Sequence, residues 1–116
     1  MSLFVEKLRV YQLAITMSTE VFALTKTFPR GYADLIDQWR RAASSVPANL
    51  AEGVGRRAAG DKQHFYVMAR GSVSECLPHL MTFYSLRFID EIAFKRCKSQ
   101  LELLEKMISN LIKTTF

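Results

Sequence analysis

A line of polar side chains along one predicted helix is the part of this sequence best suited to chemistry. At about 100° per residue, polar residues three or four positions apart fall in one line beside the apolar face of the second predicted helix. The line consists of Gln38, Arg41, Ser45, Asn49, Glu52 and Arg56. Half-buried polar groups need hydrogen-bonding partners. The line therefore predicts either a polar contact with another helix or subunit, or a binding site for an anionic ligand or RNA.

The structural alternative assigns partners to these side chains. Glu52 lies one helical turn before Arg56, a spacing that favours an ion pair. Arg41 is expected to pair with Glu75 of the third predicted helix. Ser45 and its neighbours in the line are expected to form hydrogen bonds with another helix or subunit.

Basic residues are concentrated in the middle of the chain. The formal net charge is +5, from 16 Lys and Arg against 11 Asp and Glu. Six of the basic residues are predicted to form a rim around the loop after the second helix: Arg30, Arg40, Arg56, Arg57, Lys62 and Arg70. Such a rim binds nucleic-acid phosphates with an affinity that falls with salt, and Tyr66 beside it is the aromatic residue expected to stack on a base. The alternative is a solvated surface that keeps the protein soluble.

Two other groups of residues have enzyme-like spacings. Six residues separate Arg57 from His64, a spacing similar to that of the cation and imidazole in a helical family containing ribonucleases. Cys76 and His79 lie three residues apart, with Cys97 as a third metal-binding side chain, but a closed zinc site needs a fourth ligand. We therefore expect no catalytic residue, no metal site and no cofactor.

Four amphipathic segments position these residues. The spacing of apolar residues predicts helices over residues 6–28, from about 32 to 54, from 61 to about 86, and from near Asp90 onwards. Asp61 is predicted to cap the third helix. No segment shows sustained alternation of period two, and the connections are short. The predicted fold is all-α, an up-down antiparallel four-helix bundle.

The same spacing predicts which residues face the core. The second helix is expected to bury Leu35, Trp39, Ala42, Ala43, Val46, Leu50 and Gly53. The third is expected to bury Phe65, Ala69, Ser72, Cys76, His79, Phe83 and Leu86. Tyr11, Phe22 and Phe94 are also assigned to the core. Pro47 and Pro78 each remove a backbone donor inside a helix and predict either a kink or, at Ser44 and Ser45, a restart of the helix.

Length and composition favour one compact unit. The 116 residues fit a single domain over residues 1–116. The only two cysteines do not have the spacing of a redox or zinc motif, which favours reduced thiols in the cytoplasm. No apolar run approaches the roughly 20 residues that span a bilayer, so we expect no membrane partner.

Three motifs resemble those of a known bacterial family. They are Phe28-Pro29, the stretch from Gln38 to Gly53 with Arg41-Ala42-Ala43-Ser44-Ser45 and Asn49-Leu50-Ala51-Glu52 inside it, and Ala69-Arg70-Gly71-Ser72-x-x-Glu75. Over nearly its whole length the chain resembles the four-helix-bundle family of 23S ribosomal RNA intervening-sequence proteins, which is similar to the accessory variability determinant of diversity-generating retroelements. The sequence departs from the family pattern at Pro78, where a polar, helix-continuing residue is expected.

The resemblance implies an assembly and a surface. It implies a ring-like homopentamer with a basic surface for nucleic acid or a nucleic-acid enzyme, and no established catalysis. The family's signature positions are Gln38, Arg41, Asn49, Glu52, Gly53, Gly71, Ser72 and Glu75. The expected function is that of a non-catalytic, oligomeric binding or scaffold protein for RNA or DNA. The alternative is an adaptor for a polymerase-like or reverse-transcriptase-like protein that does not itself contact nucleic acid.

Overall fold

Four α-helices carry most of the chain in the computed structural model, which describes residues 4–115. The helices are α1 (Arg9–Thr25), α2 (Ala33–Gly55), α3 (Ala59–Ser85) and α4 (Glu91–Lys113), with short 3₁₀ helices at Phe4–Lys7 and Arg30–Tyr32. These 112 residues contain no strand. The all-α prediction is confirmed, and the helices begin and end within a few residues of the predicted positions.

Each helix runs antiparallel to the one before it. Gln63 near the start of α3 donates a hydrogen bond to the carbonyl oxygen of Ile112 near the end of α4. Arg96 near the start of α4 pairs with Glu20 in the second half of α1. Contacts join α1 to α2, α2 to α3, α3 to α4 and α4 back to α1, in a bundle of 44 × 26 × 22 Å. The topology is therefore up-down, as predicted.

A side-chain cap explains where α4 begins, whereas α3 begins without one. The Asp90 carboxylate accepts a hydrogen bond from the Ala93 amide at 2.7 Å and caps α4. The prediction that Asp61 caps α3 was wrong, because the helix begins at Ala59 and no side chain caps it. Asp61 lies instead in the first turn, where its negative charge is favourable beside the positive end of the helix dipole.

Aromatic rings fill the core at the end where α1 meets α2 and α3 meets α4. The Phe28 and Phe83 ring centroids lie 4.8 Å apart, and those of Trp39 and Phe83 lie 5.5 Å apart. Trp39 is 1% exposed and Phe83 is fully buried. Trp39 is therefore the core anchor that the sequence predicted, with ring contacts that add to its burial.

The predicted core face is close to the observed one in α2 and shifted in α3. In α2, Ile36 is buried where Leu35 was expected. The buried face of α3 consists of Tyr66, Ala69, Val73, Cys76, Leu80 and Phe83. It lies one residue beyond the predicted face at three positions, because α3 carries apolar residues on both sides and spacing alone does not separate them. Phe22, which was assigned to the core, has 41% of its surface exposed.

Both helices that contain proline continue through it. Pro47 lies inside α2 and is buried, while Pro78 lies inside α3 and is exposed. The helix restart considered at Ser44 and Ser45 therefore does not occur. None of the helices within residues 4–115 combines the length and the apolar character needed to cross a bilayer.

Candidate functional site

The middle of the polar line on α2 is used to pack α2 against α3. The Ser45 hydroxyl donates to the Ser72 hydroxyl oxygen at 2.5 Å, and Ser72 donates in turn to the carbonyl oxygen of Met68. The Asn49 amide donates within α2 instead, to the carbonyl oxygen of Ser45 at 2.9 Å, so among residues 4–115 it does not make the bond to another helix that was predicted for it. Ser45 and Asn49 are half-buried, as predicted. These hydrogen bonds satisfy polar groups at the edge of the core.

The predicted ion pair lies at the C-terminal end of the polar line, beside the loop that joins α2 to α3. Arg56 lies 3.1 Å from the Glu52 carboxylate, and its guanidinium lies 4.6 Å from the centre of the Phe65 ring. Both partners are about half exposed, so the pair contributes little to stability. The Arg56 side chain is nevertheless held in place by two contacts.

The other end of the line points into solvent. Gln38 and Arg41 are exposed, and so is Glu75 on α3. Within residues 4–115, neither Arg41 nor Glu75 takes part in an ion pair. The predicted pairing of Arg41 with Glu75 inside one chain was therefore wrong. Both groups remain available to a partner.

The closest approach of α2 and α3 is at Gly53. A Cβ atom at this position would lie 2.7 Å from Cδ1 of Tyr66 and closer still to Cε1. Tyr66 is only 3% exposed, and burial raises the pKa of its hydroxyl. The prediction that Tyr66 stacks on a nucleotide base was wrong, because its ring fills the space that the glycine leaves.

Besides Arg56, three of the six residues assigned to the basic rim make contacts within the bundle. Arg40 donates to the Thr25 hydroxyl oxygen at 2.8 Å and lies over the Phe22 ring, which links α2 to α1. Arg70 donates to the Ser109 hydroxyl oxygen of α4 at 3.2 Å.

Lys62 is the third residue with such a role. Its ammonium group donates to the carbonyl oxygens of Gly53 and Val54 at 3.3 and 3.0 Å. These carbonyls lie in the last turn of α2, where a positive charge is favourable. Lys62 therefore caps α2 from the start of α3.

The six residues do not form one rim. Arg40 lies in α2 and Arg56 directly follows its last residue, sixteen residues further on, a distance of about 24 Å at the rise of an α-helix. Arg30 precedes α2 and lies with Arg40 toward the aromatic end of the bundle, where both line a small surface cavity. Only Arg56, Arg57 and Lys62 surround the loop between α2 and α3.

The fold adds other cations to this end of the molecule. We define each end of the bundle as the terminal four residues of every helix together with the adjoining connecting segments. The end with the α2–α3 loop, called here the basic end, carries six basic and three acidic residues, a balance of +3: Lys7, Arg9, Arg56, Arg57, Lys62 and Lys113 against Glu6, Glu52 and Asp61. The opposite end carries three of each sign, a balance of zero: Lys26, Arg30 and Arg87 against Asp34, Asp90 and Glu91.

Sequence reasoning missed half of the cations at the basic end. Lys7, Arg9 and Lys113 are far from residues 56–62 in sequence, but α1 begins and α4 ends there. Leu8 and Arg9 line the same surface cavity as Leu111 and Thr114, which places the start of α1 against the end of α4. The predicted helix boundaries and the up-down topology together contained the signal.

The cysteines and histidines do not form an enzyme-like arrangement. Cys76 and Cys97 are buried, and burial raises the pKa of each thiol to about 12. Cys97 also donates a hydrogen bond to the Glu20 carboxylate at 3.1 Å. Burial lowers the pKa of the half-buried His79, whereas His64 is exposed. The part of the chain that the structure describes holds no cluster of three side chains able to bind a metal ion.

A shallow groove runs between α3 and α4. Its volume is about 500 Å³, and Val73, Leu77 and Leu101 supply its apolar lining. The charged side chains beside it come from α4: Lys98, Glu102, Glu105 and Lys106. The groove therefore borders an apolar surface on its α3 side and a charged surface on its α4 side.

The fold and these surfaces define a small, all-helical bundle protein with one basic end. Residues 6–110 match the sequence pattern of the 23S rRNA-intervening sequence proteins, and the chain belongs to this family. The resemblance seen in the sequence motifs is thereby confirmed.

A solved structure has the same fold. It is the crystal structure of a protein of unknown function from the S23 ribosomal protein family of Bacteroides thetaiotaomicron, with a TM-score of 0.83. The sequences are 17% identical, and the match covers 90% of this chain and 96% of that one. At this identity the similarity extends to the fold alone. No curated protein sequence matches the chain.

Proposed function

We propose that this protein is a non-catalytic, oligomeric module that binds or organises nucleic acid through its basic end. The contact is with phosphate groups, because the cations lie on three different helices and one connecting loop rather than along a single reading helix. Arg57 and Arg9 are exposed at this end. Arg56 and Lys62 are held by contacts within the chain and contribute charge from fixed positions.

The charge difference between the two ends is the observation that carries this proposal. The balance is +3 at the basic end and zero at the opposite end, although both ends are built from two helix beginnings, two helix ends and their connections. A solubility requirement alone gives no reason to place the surplus at one end. A local positive field does attract a polyanion.

Oligomerisation strengthens such a contact. A single basic end with a surplus of three charges binds phosphates weakly, but copies in one assembly act on the same nucleic acid together. A ring-like homopentamer places five basic ends on one particle. The expected location of this assembly is the cytoplasm.

Salt-dependent binding to a structured RNA hairpin and to duplex DNA tests the proposal. Arg9→Glu/Arg57→Glu is expected to weaken binding by on the order of tenfold or more at low salt, and to reduce the slope of log K against log salt by about 1.5. The matched control is Lys26→Glu/Arg30→Glu, which changes the charge equally at the opposite end. Equal losses in the two variants, or no binding by the wild-type protein, would overturn the proposal.

A protein partner is the alternative outcome. If the protein is an adaptor for a polymerase-like partner, both charge variants retain that partner after nuclease treatment and neither binds RNA. The enzyme alternative requires RNA cleavage that His64→Ala abolishes. Either result would replace the nucleic-acid scaffold with a different function.

A further inference from the structure

We propose that the outer face of α3 is the surface on which a second copy of this chain docks. The inference rests on the oligomeric assembly proposed above and names the surface that builds it. The outer face consists of Val67, Gly71, Ser74, Pro78, Met81 and Ser85. All six residues are exposed, and none is charged.

The spacing of these six residues is that of a helix-packing seam. They follow one another at intervals of four, three, four, three and four, which keeps them on one side of a helix. The buried face of α3 has the same alternation on the opposite side. Since α3 uses its buried face for the core of its own bundle, the outer seam is a second packing surface with no partner inside the chain.

The seam contains exposed apolar side chains, and another lies beside it. Val67 and Met81 are each 45% exposed, and Leu77, on the flank toward α4, is 40% exposed. Leu77 also lines the groove of about 500 Å³ between α3 and α4, so the apolar surface continues from the outer face into that groove. Contiguous exposed apolar surface of this kind is typical of protein contact sites.

The surface is also open to close approach. A Cβ atom at Gly71 would meet no other atom within 4 Å. Gly71, Ser74 and Pro78 are small or short, and they allow the backbone of a neighbouring helix to come near. Larger side chains on either side, Val67 and Met81, then have room to pack around that contact.

Charge complementarity identifies the occupant. Two charged residues of α3 flank the seam, Arg70 and Glu75, and Arg70 already bonds to Ser109 of α4. Glu75 lies at about the same height as Arg41 of α2, because each is one turn from the Ser45–Ser72 hydrogen bond. Glu75 and Arg41 have no ionic partner within residues 4–115. Because the chain presents an unpaired anion and an unpaired cation beside this face, a second copy can supply the opposite charge to each, either in a two-fold pair or between successive subunits of a ring. Nucleic acid suits the face less well, since it would bring phosphates against the exposed Glu75 carboxylate, which a second copy can pair with a cation.

The full-length chain and its variants can be compared by sedimentation velocity and light scattering over a wide concentration range. Gly71→Arg places a long side chain on the seam at a site with open space in the monomer, and it removes a residue of low helix propensity. We expect self-association to weaken about thirtyfold or more, the loss of a central contact, while the melting temperature of the monomer does not fall. The matched control is Ser99→Arg on the exposed face of α4, which is expected to assemble like the wild type.

The charge pair gives an independent measurement. Arg41→Glu and Glu75→Arg should each weaken self-association by on the order of tenfold, and the double variant should regain it because every contact is again of opposite sign. Neither exposed side chain contributes to the core of the monomer.

Three results would overturn the inference: a wild-type chain that is monomeric at every concentration, a Gly71→Arg variant that assembles normally, or a double charge variant that stays weak. The inference and the nucleic-acid proposal fail separately. A chain that assembles through α3 but binds no RNA loses the proposed function and keeps this surface. A monomer that binds RNA does the reverse.

Discussion

Helices α3 and α4 are neighbours of similar length whose outer faces differ sharply. Of the 27 residues of α3, four are Asp, Glu, Lys or Arg, whereas eight of the 23 residues of α4 are. The outward positions of α4 carry Lys95, Glu102 and Lys106 alongside two exposed apolar residues, whereas those of α3 include Val67, Pro78 and Met81. Exposure to solvent accounts for the charged outer face of α4. The uncharged outer face of α3 is expected where another protein surface covers the helix.

The inner faces of the same two helices are alike. Each is a continuous apolar seam that contains one buried cysteine, Cys76 in α3 and Cys97 in α4. The requirements of the core therefore do not account for the difference outside. That difference lies at the level of assembly, and variants on the two sides of α3 separate it from folding.

The largest effect is expected from the inner side of α3. Phe83 is fully buried and contacts the rings of Phe28 and Trp39. Phe83→Ala should lower the free energy of unfolding by about 3–5 kcal/mol, because it removes a large apolar side chain and leaves a cavity. Denaturant titration measures this loss. Met81→Ala, two residues away on the exposed side, is the control and should change the stability of the monomer by no more than about 0.5 kcal/mol.

The two buried thiols should make the protein less stable in alkali. Burial raises the pKa of Cys76 and of Cys97 to about 12, from an ordinary value of 9.0. The folded state therefore holds these protons more tightly than the unfolded state does. Their contribution is fully present below pH 9.0 and is lost as the pH rises toward 12, by on the order of a few kcal/mol in total.

Unfolding curves measured at a series of alkaline pH values test this dependence. The Cys76→Ala/Cys97→Ala variant should show a shallower fall in stability than the wild type, although it starts from a lower value. The buried Tyr66, whose pKa is also raised, is present in both proteins and does not account for a difference between them. Equal slopes in the two proteins would contradict the assignment of the effect to the thiols.

The contact between Gly53 and Tyr66 should have a smaller but clear effect. A methyl group at position 53 overlaps the buried Tyr66 ring, so Gly53→Ala forces the ring or α2 to shift. We expect a net loss of about 1–3 kcal/mol, since overpacking outweighs the gain in helix propensity. The Gly53→Ala/Tyr66→Leu double variant should recover part of this loss. Full additivity of the two changes would argue against a direct clash.

Spacing alone predicted the four helices because each has a long and regular series of buried apolar residues. Trp39 and the stripe of α2 around it were placed correctly for this reason. In α3 the same reasoning misplaced Tyr66, Val73 and Leu80, because a helix with two apolar seams gives two overlapping patterns and the sequence does not state which one faces inward.

The candidate surfaces were only partly predictable. Residues close together in sequence, such as Arg56 and Arg57, were correctly placed at one loop. Arg30 and Arg40 were grouped with them on charge alone, although about two thirds of α2 separates Arg40 from that loop. The absence of an Arg41–Glu75 pair depends on side-chain directions, which spacing does not specify. A sequence pattern does not show how the helices are arranged in space. That arrangement decides which cations, distant in sequence, lie at the same end of the bundle.

The smallest predicted effect is the one that best separates folding from assembly. Gly71 is a helical residue with a negative φ angle and open space where a Cβ would be, so nothing in the monomer requires glycine there. At protein concentrations low enough to give monomers, Gly71→Ala should therefore raise the free energy of unfolding by about 0.5–1 kcal/mol, the difference in helix propensity. The same substitution at Gly53 has the opposite sign, because there the glycine is required by a neighbouring ring. If Gly71→Ala stabilises the monomer and weakens self-association in the same preparation, the glycine on the outer face is explained by a neighbouring subunit. A loss of monomer stability would instead mean that the outer face of α3 is constrained within its own chain, and the contrast with α4 would need another cause.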